Sequence, residues 1–206
     1  MAAKKKAKKA MKAMKGKPAA SKRAAKPAKK PAAKAKRPAA TAAAPNPWKA
    51  FGQEYAIESA ITAKVLRAYP ADQPDFQPHP RSSNAHKLFA TFVGEQGMAL
   101  GAVNGTLKMP PSFAPPPATL ADAIVAFEKA VAGVVAAINA AKPADWNRPV
   151  PFFSGPGKLA DFPSGALARF MLADQIHHRG QLSVYVRMAG GKVPSIYGPS
   201  ADEPWM

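Results

Sequence analysis

An all-α protein, a bundle of four amphipathic helices behind a basic arm, is the architecture this sequence predicts. Three observations carry that reading. Apolar residues recur at helical spacing in four stretches, each about 20 residues long, the length of a bundle helix. No stretch alternates apolar and polar residues for long enough to suggest a strand. Proline-rich segments separate the periodic stretches and read as long connections.

The chain begins with the arm. Of 206 residues, 30 are Lys or Arg and 12 are Asp or Glu, a net charge of +18. The charge is segregated: residues 1–46 hold 16 cations and no acid, while 47–206 hold 14 cations against 12 acids, a net of +2. The division predicts a disordered Lys/Ala/Pro-rich arm, 1–46, and a near-neutral helical domain, 47–206. The arm has prolines at 18, 27, 31, 38 and 45 and no aromatic or β-branched apolar residue. It can bury too little surface to offset its chain entropy. Its cations are Lys4, Lys5, Lys6, Lys8, Lys9, Lys12, Lys15, Lys17, Lys22, Arg23, Lys26, Lys29, Lys30, Lys34, Lys36 and Arg37. A flexible polycation condenses on a polyanion with release of counterions. Without aromatic residues to stack on bases, nucleic-acid binding is expected to be sequence-independent. The competing expectation is a solubilising tail. Membrane attachment is not expected, because the arm lacks an apolar face. In composition the arm resembles the tails of linker histones and of some bacterial nucleoid proteins.

The four helices follow in order. Residues 48–69 place Phe51, Tyr55, Ile61 and Val65 near one face, and Pro70 ends the run. Ser82, Ser83 or Asn84 can cap a second helix reaching about Leu107. Five prolines between 110 and 117 predict a stiff crossover. A third helix is expected from about Thr119 to Ala141, bearing Leu120, Ile124, Phe127, Val131, Val134 and Ile138. Residues 143–162 read as a long loop. Pro163 and Ser164 open the fourth helix, which Gly190 and Gly191 stop.

Absences narrow the chemistry. The chain has no cysteine, which excludes disulfides, thiolate metal sites and a cysteine nucleophile. No apolar run approaches a membrane span, and no apolar stretch follows the N-terminal charges as a signal peptide requires. The expected location is cytoplasmic and nucleoid-associated. No phosphate-loop pattern and no Ser-His-Asp arrangement is visible.

Ionisable residues on apolar faces mark the candidate site. On helix four, Leu167, Met171, Asp174, His178, Leu182 and Tyr185 share a stripe, with His177 on its flank and Arg179 directed away from its centre. Asp174 and His178 stand one turn apart, so their side chains converge. On helix two, Leu88, Phe92, Glu95, Ala99 and Ala102 share a stripe, with Thr91 at its edge. Glu54 and Glu58 lie beside the apolar face of helix one. A buried charge is costly unless paired or bound to a cation. Asp174, His178 and Glu95 therefore form a candidate site for a divalent metal, with imidazole nitrogen and carboxylate oxygen as ligands. The alternative is an internal Asp174–His178 pair with Glu95 near the surface. His79 and His86 are expected to be surface residues.

The string ADQIHHRGQLSVYVRMAGGKVPSIYGPSADEPW, with its HHRGQL core, the following YVR and the VPSIYG segment, resembles the C-terminal part of the DinB (damage-inducible) family. The stretch YPADQPDFQPHPRSSNAHKLFATFVGEQ resembles that family's first connection and second helix. The resemblance covers most of 48–204 and implies a four-helix bundle with a long crossover, often dimeric. Members typically hold a divalent metal through three His residues, one on helix two and an HxxxH pair on helix four. Here His178 matches the last ligand, Asp174 replaces its partner, and Thr91 replaces the helix-two ligand, with Glu95 one turn later able to serve instead. The resemblance implies a metal (Zn, Ni, Mn or Fe) and a metal-dependent thiol transferase or hydrolase acting on a small molecule of unknown identity. Tyr197 and His177, with Thr91 and Glu58, would line the pocket. The family name implies induction by DNA damage. The competing implication is a non-catalytic dimerisation or ligand-binding module, tethered to DNA by the arm, with a degenerate metal site.

Overall fold

A computed structural model describes residues 45–206. The arm's 16 cations, and the expectations of disorder and nucleic-acid binding attached to them, lie outside the described residues.

Four helices form: α1 (Pro47–Ala68), α2 (Ala85–Asn104), α3 (Leu120–Ala140) and α4 (Ser164–Met188). Side-chain caps fix three of the starts. Asn46 accepts from the Trp48 amide at 3.1 Å, Asn84 from the Lys87 amide at 2.9 Å, and Thr119 from the Asp122 amide at 3.0 Å. Asn46, which composition groups with the arm, also donates to the Ala141 carbonyl at the end of α3. Gly105 ends α2 with a φ of 68°, a left-handed conformation that glycine adopts without strain. Helix α2 therefore stops at Asn104, earlier than the expected Leu107.

The loop expected at 143–162 is structured. A 3-10 turn (Pro143–Asn147) leads into an antiparallel hairpin, β1 (Pro149–Gly155) and β2 (Lys158–Pro163). Most hairpin residues are exposed, so no apolar alternation announces the strands in sequence. Trp146 and Val150 anchor the region to the bundle. The Trp146 indole lies directly on Gly165, leaving no room for a side chain there.

Helix α1 packs on α3 and α4, and α2 packs on the same two. Helix α1 thus stands diagonal to α2, and α3 to α4, which is why those two connections must be long. The interior falls into two apolar zones. Trp48, Phe51, Tyr55, Ala99, Val103, Ile138, Leu167 and Leu172 fill one. Leu66, Phe89, Phe92, Phe127, Leu182 and Val186 fill the other. Between them along α1, α2 and α4 lie buried Ser59, Thr62, Glu95, Gln96, Gln175 and Arg179. Among the described residues, no helix is long and apolar enough to cross a membrane.

Candidate metal centre

The packing of α2 on α4 brings Glu95 to Asp174 and His178. One ligand-type atom from each lies within 4.8 Å of the others. His178 Nδ1 hydrogen-bonds the Glu95 carboxylate and stands 3.9 Å from Asp174 Oδ1. The Phe92 ring meets the imidazole in an edge-to-face arrangement, with centroids 6.2 Å apart. Glu95 is buried, whereas His178 and Asp174 are half-buried, so the group opens outward from a buried floor. The alternative of an Asp174–His178 pair with Glu95 near the surface is corrected here. Glu95 is only 2 % exposed and is the direct partner of His178, because its position on α2 faces α4 at mid-bundle.

The electrostatics follow from that burial. Loss of water pushes the Glu95 carboxyl above its ordinary value, and Asp174 adds to the rise, while the His178 contact opposes it. The hydrogen bond to Glu95 raises the His178 imidazole, against a smaller desolvation effect. One atom is left over. Glu95 Oε2 is buried without a hydrogen-bond partner, an arrangement that costs stability in a metal-free core. One nitrogen and two carboxylate donors suit a borderline divalent cation, and a cation among them would give Oε2 its partner. The residues present therefore fit a metal.

Beside the triad lies a cleft of about 1500 Å³. One wall is α2 from Lys87 to Asn104; the other is the segment 106–117, which runs back along α2. Its end points are visible in three contacts. A Cβ at Gly101 would lie 3.1 Å from Leu107, and one at Gly94 would lie 3.1 Å from the Phe113 ring. Farther on, His86 Nε2 meets the Pro117 carbonyl at 2.6 Å. The crossover is thus a strap along α2, and His86 is a partly buried fastening rather than the expected surface residue. His79 is exposed, as its proline-rich loop suggests. Thr91, Glu95, Asp174 and His178 all line the cleft.

Three residues expected at the pocket, Glu58, Tyr197 and His177, lie elsewhere. Glu58 and Tyr197 meet each other at 2.7 Å and converge on Arg179, outside the cleft lining. His177 is exposed and bonds Gln181 at 2.7 Å. Thr91 donates to the Lys87 carbonyl at 3.0 Å, a bond within its own helix. Arg179, read as directed away from the core stripe, is 1 % exposed. Its guanidinium pairs with Glu58 at 2.7 Å, bonds Thr62, and stacks 5.0 Å from the centre of the Tyr197 ring.

Sequence reading also missed the polar belt behind the site. Tyr55 donates to Gln96 at 2.5 Å, Gln96 donates to Gln175 at 2.9 Å, and Gln175 donates to Thr62 at 3.0 Å. Burial and the neighbouring Glu95 push the Tyr55 hydroxyl up, which keeps it a donor. Each triad residue is followed by a belt residue: Gln96, Gln175 and Arg179. The buried stripe of α4 runs through Ala168, Leu172, Gln175, Arg179, Leu182 and Val186, with spacings of four and three. That periodicity was the available signal, but two polar residues at its centre weaken its hydrophobic contrast.

Comparison with known proteins agrees with the four-helix fold. The DinB superfamily pattern matches residues 55–182. The uncharacterized protein YrdA of Bacillus subtilis (strain 168) is 51 % identical over 41 residues, 20 % of this chain and 25 % of that one. The similarity therefore spans a quarter of that relative's length. A DinB-like protein from Bacillus cereus ATCC 10987 superposes with a TM-score of 0.61 at 21 % identity, covering 72 % of this chain and 97 % of that one. A second DinB-like protein, YjoA of Bacillus subtilis, gives 0.54 at 17 %, covering 71 % and 97 %. With a family pattern spanning most of the four-helix bundle, this chain belongs to the DinB superfamily.

Proposed function

We propose that this protein is a divalent-metal-dependent enzyme of the thiol-transferase or hydrolase type, held on nucleic acid by its N-terminal arm. The observation that carries the metal is the unpartnered, buried Glu95 Oε2 within a Glu95–Asp174–His178 group that faces a large cleft. Glu95, Asp174 and His178 would hold the ion, which when bound would supply a Lewis acid able to lower the pKa of water or a thiol. The chain's own groups do the rest. The Glu95 contact sets which His178 nitrogen faces inward, and the apolar strap lines the cleft that the triad faces. Nickel, manganese, iron and zinc are all compatible with these donors.

A second reading, a non-catalytic ligand-binding or dimerisation module with a degenerate site, rests on Thr91. Its hydroxyl is engaged by its own helix where the family resemblance implies a His ligand.

The deciding experiment is elemental analysis of the full chain, purified without an affinity tag, alongside His178→Ala. About one metal per chain, lost in the variant, is expected. No metal after incubation with zinc, nickel, manganese and iron(II) would overturn the enzyme reading in favour of the second.

A further inference from the structure

We propose that the cleft along α2 binds a slender apolar ligand, an alkyl or acyl chain with one polar end group, lying beneath the 106–117 strap with its polar end at Glu95. The placing of the polar end rests on the metal reading; the apolar channel does not.

Shape is the first argument. The strap meets α2 closely at Gly101 and Gly94, yet a Cβ at Gly97, between those points, would meet no atom within 4 Å. The open space therefore runs along α2 and narrows at both contacts. Between those contacts, from Gly94 to Gly101, the helix rises about 10 Å, enough for a medium-length extended chain.

Chemistry is the second. Between Ala90 and Gly101, Glu95 is the sole ionisable side chain of α2, and residues 109–117 carry no charge. Lys87 and Lys108 lie beyond the two ends, and Asp122 is engaged by Thr119 at 2.7 Å. Five of the nine strap residues from 109 to 117 are prolines, which have no N–H to donate. The donors Lys87, Asn104, Thr106 and Lys108 lie toward the ends and the Thr91 hydroxyl is engaged by its own helix, so a sugar, a nucleotide or an extended peptide would lose its water between them and find few donors in return. An alkyl chain loses nothing and gains apolar contact with Met98, Leu100, Leu107 and Phe113.

The third argument is the unpartnered polar atom. Glu95 is 2 % exposed, lines this cleft, and carries Oε2 without a hydrogen-bond partner. The channel thus has one ionisable group on its α2 wall, beside its midpoint and next to Asp174 and His178, where a ligand's single head group belongs.

Gly97 supplies the test. Gly97→Ala removes a glycine from a helix interior into open space, so it should fold at least as well as the parent. Gly97→Phe should fill the channel without touching the triad. Two titrations would be run on the full chain. In the first, n-alkanols from butanol to decanol displace N-phenyl-1-naphthylamine from metal-free protein. In the second, n-alkyl hydroxamates of two to ten carbons bind zinc-loaded protein, followed by calorimetry. We expect affinity to rise about fourfold per methylene in both series. In Gly97→Phe the rise should vanish, while zinc content and acetohydroxamate affinity persist. Length-independent affinity in the parent, or an undiminished rise in Gly97→Phe, would overturn the proposal. Failure of zinc to bind, with the alkanol rise intact and sensitive to Gly97→Phe, would overturn the metal reading and leave the channel supported.

Discussion

Glu95 and His178 show how burial sets the behaviour of single residues. Both groups have folded-state pKa values above their ordinary ones, 4.5 for Glu95 and 6.5 for His178. A raised value means that the folded chain holds protons the unfolded chain has released, so stability falls as pH rises through the folded value. The Glu95 contribution is complete below its ordinary value. The His178 contribution is complete below about pH 6.5 and is lost above it. The metal-free protein should therefore show a lower urea midpoint at pH 8 than at pH 6, with a flatter dependence in Glu95→Gln. A midpoint that climbs over this interval would contradict the assignment. Metal affinity should move the opposite way, weakening by up to roughly tenfold per pH unit on acidification, because protons compete for the same donors.

At the scale of elements, the polar belt sets how α1, α2 and α4 meet. Gln96 and Gln175 join α2 to α4, and Thr62 and Arg179 extend the connection to α1. Replacing one glutamine by leucine leaves its partner unsatisfied in the core, at a cost of about 1–3 kcal/mol. The Gln96→Leu/Gln175→Leu pair should cost less than the sum of the single changes, since both ends of their mutual bond are removed together. Arg179→Met should cost about 1–3 kcal/mol, because the half-buried Glu58 loses its ionic partner while keeping the Tyr197 hydroxyl. Urea denaturation of this set measures the coupling directly; strict additivity of the glutamine changes would show that the bond does not couple the helices. The belt also explains a misreading. Choosing the stripe of α4 by apolarity favours Met171, Asp174 and His178 over the neighbouring row, in which Gln175 and Arg179 are more deeply buried. Polar side chains that satisfy one another can occupy a core, but their partners lie on other helices and leave no mark in local periodicity.

For the whole molecule, the division between arm and bundle yields the clearest experiment. Residues 45–206 form one compact unit. A chain beginning at Pro45 keeps the Asn46 cap and its bond to Ala141, and should melt at the temperature of the parent. A cut after Asn46 removes that cap and should cost about 1 kcal/mol. We expect the full chain to bind duplexes of unrelated sequence alike, with affinity falling steeply with salt, by about 0.9 log units per phosphate contacted for each tenfold rise. The chain beginning at Pro45 should lose that binding. Equal binding by both chains would place the nucleic-acid contact on the bundle.

The sequence by itself determined the four helices and their proline-rich connections, because periodicity and the lack of a proline N–H act within a few residues; of the caps it offered Asn84 among three candidates and left Asn46 in the arm. It also brought Asp174 and His178 together, since one helical turn fixes that distance. The tertiary structure decided what depends on packing between distant segments. It buried Glu95 under His178, carried Glu58 and Tyr197 away to Arg179, and laid the strap along α2. It formed the hairpin too, whose exposed strands rest on pairing with each other and on the anchorage of Trp146 and Val150 rather than on an apolar pattern of their own. Burial and orphaned hydrogen-bonding capacity are properties of the assembled interior, which is why the feature that points most directly to a metal, Glu95 Oε2, became visible only there.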